Sequence, residues 1–289
     1  MKNEILIRKP HDDEVTVLRG IWKLIFGEVG LESFFDFFYD TDLCAVAVFD
    51  DKIVSAGYLV HTGELLYDRS SIPCTMIYSI ATIPEYRGIG LGTAVVKELI
   101  KISRILGCPA VVLCPLEDSL FEFYSKHTGL FDWFYIDEQI YEDIQIKSNI
   151  PADGKIPVPE KISAGDYYRM RESLLDGSIH IRQEIRIFEY QVMLCDELGG
   201  GLYRIGDSCA VVELQPDGEV WVKELLTAVP DINGLIASIA SKFPAYKYIV
   251  RSPAKAGKGR RFGMLGLPDE MTVDISKNTT APWFGMAFD

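Results

Sequence analysis

The residues of this chain best suited to chemistry are Arg87-Gly88-Ile89-Gly90-Leu91-Gly92, followed by Thr93 and a stretch of helical periodicity. A helix N-terminus leaves several backbone N–H groups without intrahelical partners and carries a partial positive charge, so it favours an anion. Glycines ahead of that terminus permit positive φ and let an oxygen come close to the backbone. A hydrogen bond to a charged oxygen contributes about 1.5–3 kcal/mol. A few such amides therefore hold a diphosphate without help from a lysine.

Two nucleotide-binding patterns fail on particular residues. A Walker loop needs Gly-Lys-Ser/Thr, and no lysine follows these glycines at the required place. A dinucleotide fingerprint needs a third glycine, but Thr93 stands there after Gly88-x-Gly90, and Val95 after Gly90-x-Gly92. The acidic ribose ligand is also missing, because the next strand ends in Val112-Leu113-Cys114. The remaining pattern, Gln/Arg-x-x-Gly-x-Gly/Ala, resembles the signature of the GNAT superfamily of N-acetyltransferases. Ile80-Ala81-Thr82-Ile83 and Pro84-Glu85-Tyr86 ahead of it, and Phe123-Tyr124-x-Lys126 with Gly129-Leu130-Phe131 after it, extend the likeness over residues 3–145. The rival reading is a glycine-rich turn that only packs a helix onto a sheet.

The resemblance implies that the pyrophosphate of acetyl-CoA sits on the amides of Arg87, Gly88, Ile89, Gly90, Leu91, Gly92 and Thr93. It also implies that the pantetheine arm pairs with backbone groups of Ile80, Ala81 and Thr82, beside a splay between the strands at 75–83 and 110–114. Arg87 itself is expected to be structural. Tyr124 stands where many members of the family carry the tyrosine that protonates the departing thiolate. Its other reading is a core aromatic among Phe121, Phe123 and Phe131.

The amine must also lose a proton, and Met76-Ile77-Tyr78-Ser79 offers no carboxylate for it. Glu28, Glu32 and Asp36 are candidates to line a substrate groove, although each reads more simply as a solvated side chain. Glu85 belongs to the turn, and His127 to the surface.

These residues need elements to hold them. Hydrophobic spacing predicts a strand at 5–8, helices at 12–26 and 32–39, and strands at 44–49, 53–60 and 75–83 separated by a polar loop after residue 60. The glycine turn then opens a helix to residue 106, stopped by Gly107 and Pro109. A strand at 110–114, a helix at 119–126 and a strand at 133–140 complete the first half. The expected fold class is α/β (α+β), a mixed and mostly antiparallel sheet flanked by helices.

Pro151, Gly154, Pro157 and Pro159 mark a linker at 149–160 between a catalytic domain at 1–148 and a second, degenerate domain at 161–289. That second half is expected to hold helices at 165–175 and 185–198 and a hairpin over Gly206-Asp207. A strand at 219–226, a helix at 231–243 and a strand at 246–251 follow. The order repeats that of the first half without the glycine turn, so one active site per chain is expected. The tandem arrangement is similar to that of the enhanced intracellular survival acetyltransferases, without room for their sterol-carrier-like domain. Residues 255–261, Lys-Ala-Gly-Lys-Gly-Arg-Arg, are the basic cluster and read as a surface loop. The aromatic end, Trp283, Phe284 and Phe288, is expected to dock on the body.

The chain has 289 residues, with 29 Lys and Arg against 42 Asp and Glu and a net charge of −13. That sign repels nucleic acid and anionic lipid and suits a cationic amine. No apolar run reaches the roughly 18 residues of a membrane span, and the first residues lack the apolar core of a signal peptide. Cys44, Cys74, Cys108, Cys114, Cys195 and Cys209 form no CxxC pair, which suits free thiols in a reducing cytoplasm. The four histidines have no metal-ligand spacing, so no metal is expected. The sequence thus points to a cytoplasmic acetyl-CoA-dependent N-acetyltransferase acting on a small-molecule or peptide amine, as monomer or homodimer. A non-catalytic acyl-CoA-binding protein is the alternative. Aminoacyl transfer from tRNA is disfavoured by the charge.

Overall fold

The computed structural model describes residues 5–68, 70–142, 146, 156–229, 232–273, 275 and 278–288. In chain order its strands begin with β1 (Ile5–Arg8), β2 (Cys44–Phe49), β3 (Lys52–Tyr67), β4 (Ser70–Thr82), β5 (Ala110–Leu113) and β6 (Phe131–Glu142). They continue with β7 (Glu160–Lys161), β8 (His180–Gln183), β9 (Gly200–Ile205), β10 (Ser208–Leu214), β11 (Val220–Leu226), β12 (Lys247–Pro253) and β13 (Arg260–Gly266). The first helices are α1 (Val15–Phe26), α2 (Leu31–Phe37), α3 (Leu91–Ile105) and α4 (Asp118–Thr128). The chain forms two compact units, one of residues 1–134, 261–274 and 289, the other of residues 135–260 and 275–288. Of the expected linker at 149–160, residues 149–155 lie outside the described residues, and Glu160 at its end already begins β7.

In the first unit β1, β2, β3 and β4 pair antiparallel in sequence order. The α3 crossover then returns the chain so that β5 lies parallel to β4, and β13 closes the sheet antiparallel to β5. Leu91, Val95, Leu99 and Ile102 recur at helical spacing on α3 and are buried with Ala45, Ala47, Val54, Leu59, Ile77 and Val111 of the strands. Such burial contributes about 1.5–3 kcal/mol for each large side chain, which anchors the helix and with it the turn at its start.

The polar loop expected after residue 60 is a correction. β3 runs 16 residues and pairs with β4 to Tyr67↔Ser70. Gly63, Glu64 and Pro73 hide the alternation there, while Leu65 is fully buried and holds the hairpin in register. Gly63, at φ 128, sits where that register shifts.

The second unit repeats the order. β7, β9, β10 and β11 pair antiparallel, a helix (Asn233–Lys242) crosses over, and β12 lies parallel to β11. Residues 136–142 of β6 close this sheet antiparallel to β12. Each unit thus takes its closing strand from the other half of the chain. Helices Ala164–Leu174 and Ile185–Leu198 match the two expected there. The crossover helix begins at Asn233 rather than at residue 231, so residues 227–232 join strand to helix, with 230 and 231 outside the description. β8, with His180 and Gln183 buried, was not visible in the periodicity because its four residues alternate no apolar pattern.

Buried Arg171 organises the interior of this unit. Its Nε donates to both carboxylate oxygens of buried Glu224 at 3.1 Å, and its Nη1 donates to Glu172 Oε1 at 2.9 Å and Ile181 O at 3.0 Å. Tyr167 Oη and Trp283 Nε1 complete the shell of Glu224, at 3.1 and 2.6 Å. These bonds offset the cost of burying the pair, and Arg171 Nη2 is left without a partner among the described residues. Trp283 brings the C-terminal segment into the network, and Gln183 Nε2 donates to Met286 O at 2.6 Å. The expected docking of the aromatic end takes this form, with Trp283 and Phe284 buried.

Candidate functional site

Pro84 starts a single 3-10 turn, in which Tyr86 N–H donates to Ile83 O and Arg87 N–H to Pro84 O. Gly88 and Gly90 follow with φ of 83° and 87°, and Gly90 is the left-handed cap from which α3 departs. The first bond of α3 across that cap is Ala94 N–H to Gly90 O at 3.0 Å. The amides of Leu91, Gly92 and Thr93 therefore precede the helix's own ladder, and the turn leading to them is exposed. A Cβ built on Gly88 or Gly90 would meet nothing within 4 Å. These glycines are required by backbone conformation and not by crowding.

The Arg87 amide is already donated, which places the unclaimed donors of the turn after it. The Arg87 side chain donates from Nε to Thr82 O at 3.1 Å and so ties the turn back to the end of β4. Ser55 Oγ donates to Ala81 O at 2.8 Å and lies 2.8 Å from Thr82 Oγ1. Two of the three carbonyls in Ile80-Ala81-Thr82 thus have donors from within the chain.

β4 is broken by a bulge. Opposite β3, Ala56 pairs with Ala81 and Tyr58 with Tyr78, so Ser79 and Ile80 face Gly57 alone. Ser79 adopts φ 51, a left-handed value that a side-chain-bearing residue seldom takes. Gly57 is needed here because a Cβ would stand 2.2 Å from Ile80 Cδ1 and 3.0 Å from Val95 Cγ1. On the other edge, β4 pairs parallel with β5 only from Cys74↔Ala110 to Ile77↔Leu113. β5 ends there while β4 continues to Thr82, and the expected splay is this divergence.

Tyr124, on α4, is buried in the cluster that also holds Ile77, Leu91 and Leu113. Burial pushes its phenol up to about 12. The phenol therefore stays protonated across the neutral range and is a donor. What the structure shows is the core aromatic, packed in the cluster that Leu113 at the end of β5 also joins.

Glu32 and Asp36 pair with Arg19, and Glu28 pairs with Lys23. All three carboxylates are about seven-tenths exposed, so the solvated reading holds. His127 is exposed and lies 5.0 Å from the Phe123 ring.

The reading of 255–261 as a loop needs correction at its end. Arg260 and Arg261 begin β13. Arg260 Nε and Nη2 donate to Glu138 at 2.9 and 2.7 Å, within the second unit. Arg261 belongs to the first unit, where its guanidinium lies 4.9 Å from the Phe121 ring and 3.4 Å from Asp132 Oδ2. Paired carboxylates account for these charges.

Sequence spacing did not single out the aromatic set on α1, α2, β3 and β4. Trp22 stacks on Phe34 at 4.8 Å, and Tyr58 and Tyr78 approach Trp22 at 6.0 and 5.7 Å. The signal was the density of aromatics from Phe34 to Tyr39, which helical spacing explains as packing alone. Among the described residues no group of three or more His, Cys, Asp or Glu is placed to hold a metal, and no helix is long and apolar enough to cross a membrane. All six cysteines are free.

Residues 15–129, from α1 to the end of α4, match the acetyltransferase (GNAT) family. A 74-residue stretch is 36% identical to the glucosamine 6-phosphate N-acetyltransferase of Trypanosoma brucei brucei, covering 24% of this chain and 50% of that protein. The alignment with this curated relative therefore spans half of the relative's length. A GCN5-related N-acetyltransferase from Kribbella flavida shares the fold over 92% of this chain and 72% of its own, with a TM-score of 0.66 and 16% identity. Eis1 from Mycobacterium abscessus does so over 91% and 73%, with a TM-score of 0.59 and 11% identity. At these identities the likeness is one of fold, and it takes in both units.

Proposed function

We propose that the part of the chain matching the GNAT family is an acetyltransferase domain that transfers the acetyl group of acetyl-CoA directly to a primary amine. The observation that carries this reading is the left-handed Gly88–Gly90 turn, which opens unladdered amides onto free space beside a splayed strand pair. The diphosphate is held by the amides of residues 88–93, with Arg87 bracing the turn. The backbone of Ile80, Ala81 and Thr82 takes the pantetheine arm along the edge that β5 leaves uncovered. The amine nitrogen attacks the thioester carbonyl, so a C–N bond forms and the C–S bond breaks. The amine loses a proton to solvent or a base, and the Tyr124 phenol donates one to the departing sulfur.

The physics favours Tyr124 as a donor. Burial holds its phenol up, so Tyr124 carries its proton at neutral pH and has one to give. Among the described residues the second unit has no counterpart of the glycine turn, so no cofactor is assigned to it.

The test is release of CoA thiol from acetyl-CoA by the purified chain with a panel of polyamines, aminoglycosides, amino acids, arylalkylamines and peptides. Release that depends on the amine supports the reading. CoA binding without release from any amine would favour an acyl-CoA-binding protein instead.

A further inference from the structure

The bulge of β4 is strained at a residue whose packing does not account for it. Among the described residues Asp50, Asp51, Asp68, Ser79 and Phe288 take positive φ without being glycine. The three aspartates sit in hairpin turns and Phe288 lies outside any strand or helix, so Ser79, at φ 51, is the one within a strand. Backbone strain of this kind persists only where the surroundings enforce it, and it gathers at functional sites.

The second unit shows that a bulge at this place does not demand such strain. β11 also carries one extra residue, Lys223, between the pairs Val211↔Glu224 and Val212↔Val222 and just past the last parallel pair, Val222↔Val250. Lys223 takes no positive φ, and its Nζ lies 3.5 Å from Glu213 Oε2 with both side chains buried. The extra residue there is relaxed, closed in and paired. Ser79 differs on each count, being left-handed, partly exposed and without a hydrogen bond from its hydroxyl to any described residue.

Position gives the strain a use. Arg87 ties the glycine turn to Thr82, so a pantetheine arm that starts at the turn and runs from Thr82 through Ala81 to Ile80 brings its thioester end to Ser79. Tyr124 packs with Ile77, two residues further along the strand. Residues 76–79 offer no carboxylate to take the amine's proton, and Glu28, Glu32 and Asp36 are exposed and held in ion pairs. We propose that the Ser79 hydroxyl holds the acceptor nitrogen on the thioester carbonyl and relays its proton to water. As the C–N bond forms the nitrogen becomes positive, and its N–H donates to Ser79 Oγ. That proton passes to Oγ while the hydroxyl's own proton moves to a water molecule, and the sulfur leaves with the proton of Tyr124. A serine hydroxyl is a poor base alone, and the exposure of Ser79 supplies the water. This rests on the acetyl-transfer reading and adds a residue to it.

The experiment measures thiol release from acetyl-CoA by the wild-type chain, Ser79→Gly and Ser79→Ala, with whichever of spermidine, kanamycin, lysine and tyramine the wild type turns over fastest. Glycine removes the hydroxyl and relaxes the backbone, whereas alanine removes it and keeps the strain. Both variants should lose at least about tenfold in kcat, the loss of one hydrogen bond to a charged nitrogen, with the KM of acetyl-CoA unchanged. Ser79→Gly should also unfold at a urea concentration no lower than wild type, which separates the loss from a stability effect. An unchanged kcat in either variant overturns the proposal, although acetyl transfer would then still stand. So does a raised KM of acetyl-CoA in both, which would make Ser79 part of the cofactor cradle instead. No release by the wild type with any of the four amines would take both readings down. Should Ser79→Ala fail to fold, Ser79→Gly decides alone.

Discussion

The proposed transfer gives Tyr124 and Gly90 separate parts of the chemistry, and single substitutions separate them. Tyr124→Phe keeps the ring that packs with Leu91 and Leu113 and deletes only the hydroxyl. It should lower kcat about a hundredfold, the scale of one lost proton donor, with the KM of acetyl-CoA unchanged. Full activity would remove Tyr124 as the acid. The phenol of the free protein is raised to about 12, so the donor stays loaded below that value. No activity should therefore be lost between about pH 7 and the ordinary phenol value near 10, and a pH profile that falls through this window would contradict the assignment. Gly90 acts differently, since its φ of 87° has no crowding around it. A side chain there strains the cap, and an acidic one also repels the anion.

Elements explain why the turn is where it is. α3 is clamped to the sheet by Val95 and Leu99, and Gly57 on β3 lets Ile80 of the bulge lie between them. Gly57→Val should therefore destabilise the first unit by about 1–3 kcal/mol through overpacking, measured by urea unfolding. Stability equal to wild type would mean that the bulge tolerates a shift of Ile80. Much at this scale was legible in the sequence. α3 showed its buried face through Leu91, Val95, Leu99 and Ile102, and Gly90 announced its cap. The far arms of β3 and β4 were obscured by Gly63 and Pro73. β13 was hidden because Arg260 and Arg261 are charged side chains whose carboxylate partners, Glu138 and Asp132, lie more than a hundred residues away. The bulge at Ser79 was illegible because pairing against Gly57, and not local propensity, creates it. Spacing can mark Tyr124 as available, but only the fold brings it beside Leu113.

At the scale of the molecule, each unit closes its sheet with a strand from the other half of the chain, so a linear reading of boundaries has no way to express which sheet β6 and β13 join. The second unit keeps the crossover but spends its interior polarity on Arg171 and Glu224. Glu224→Ala should destabilise the protein by about 3–5 kcal/mol by stranding a buried guanidinium, seen as a lower denaturation midpoint. An unchanged midpoint would mean that the network is dispensable. Under the proposed transfer, the same difference between units predicts one acetyl-CoA site per chain. The measurement that tests this most directly is calorimetric titration of CoA into the wild-type chain and into Gly90→Asp. One CoA per wild-type chain and no binding heat from a folded Gly90→Asp variant are expected. Two per chain, or undiminished binding in that variant, would contradict a single site at the turn that opens α3.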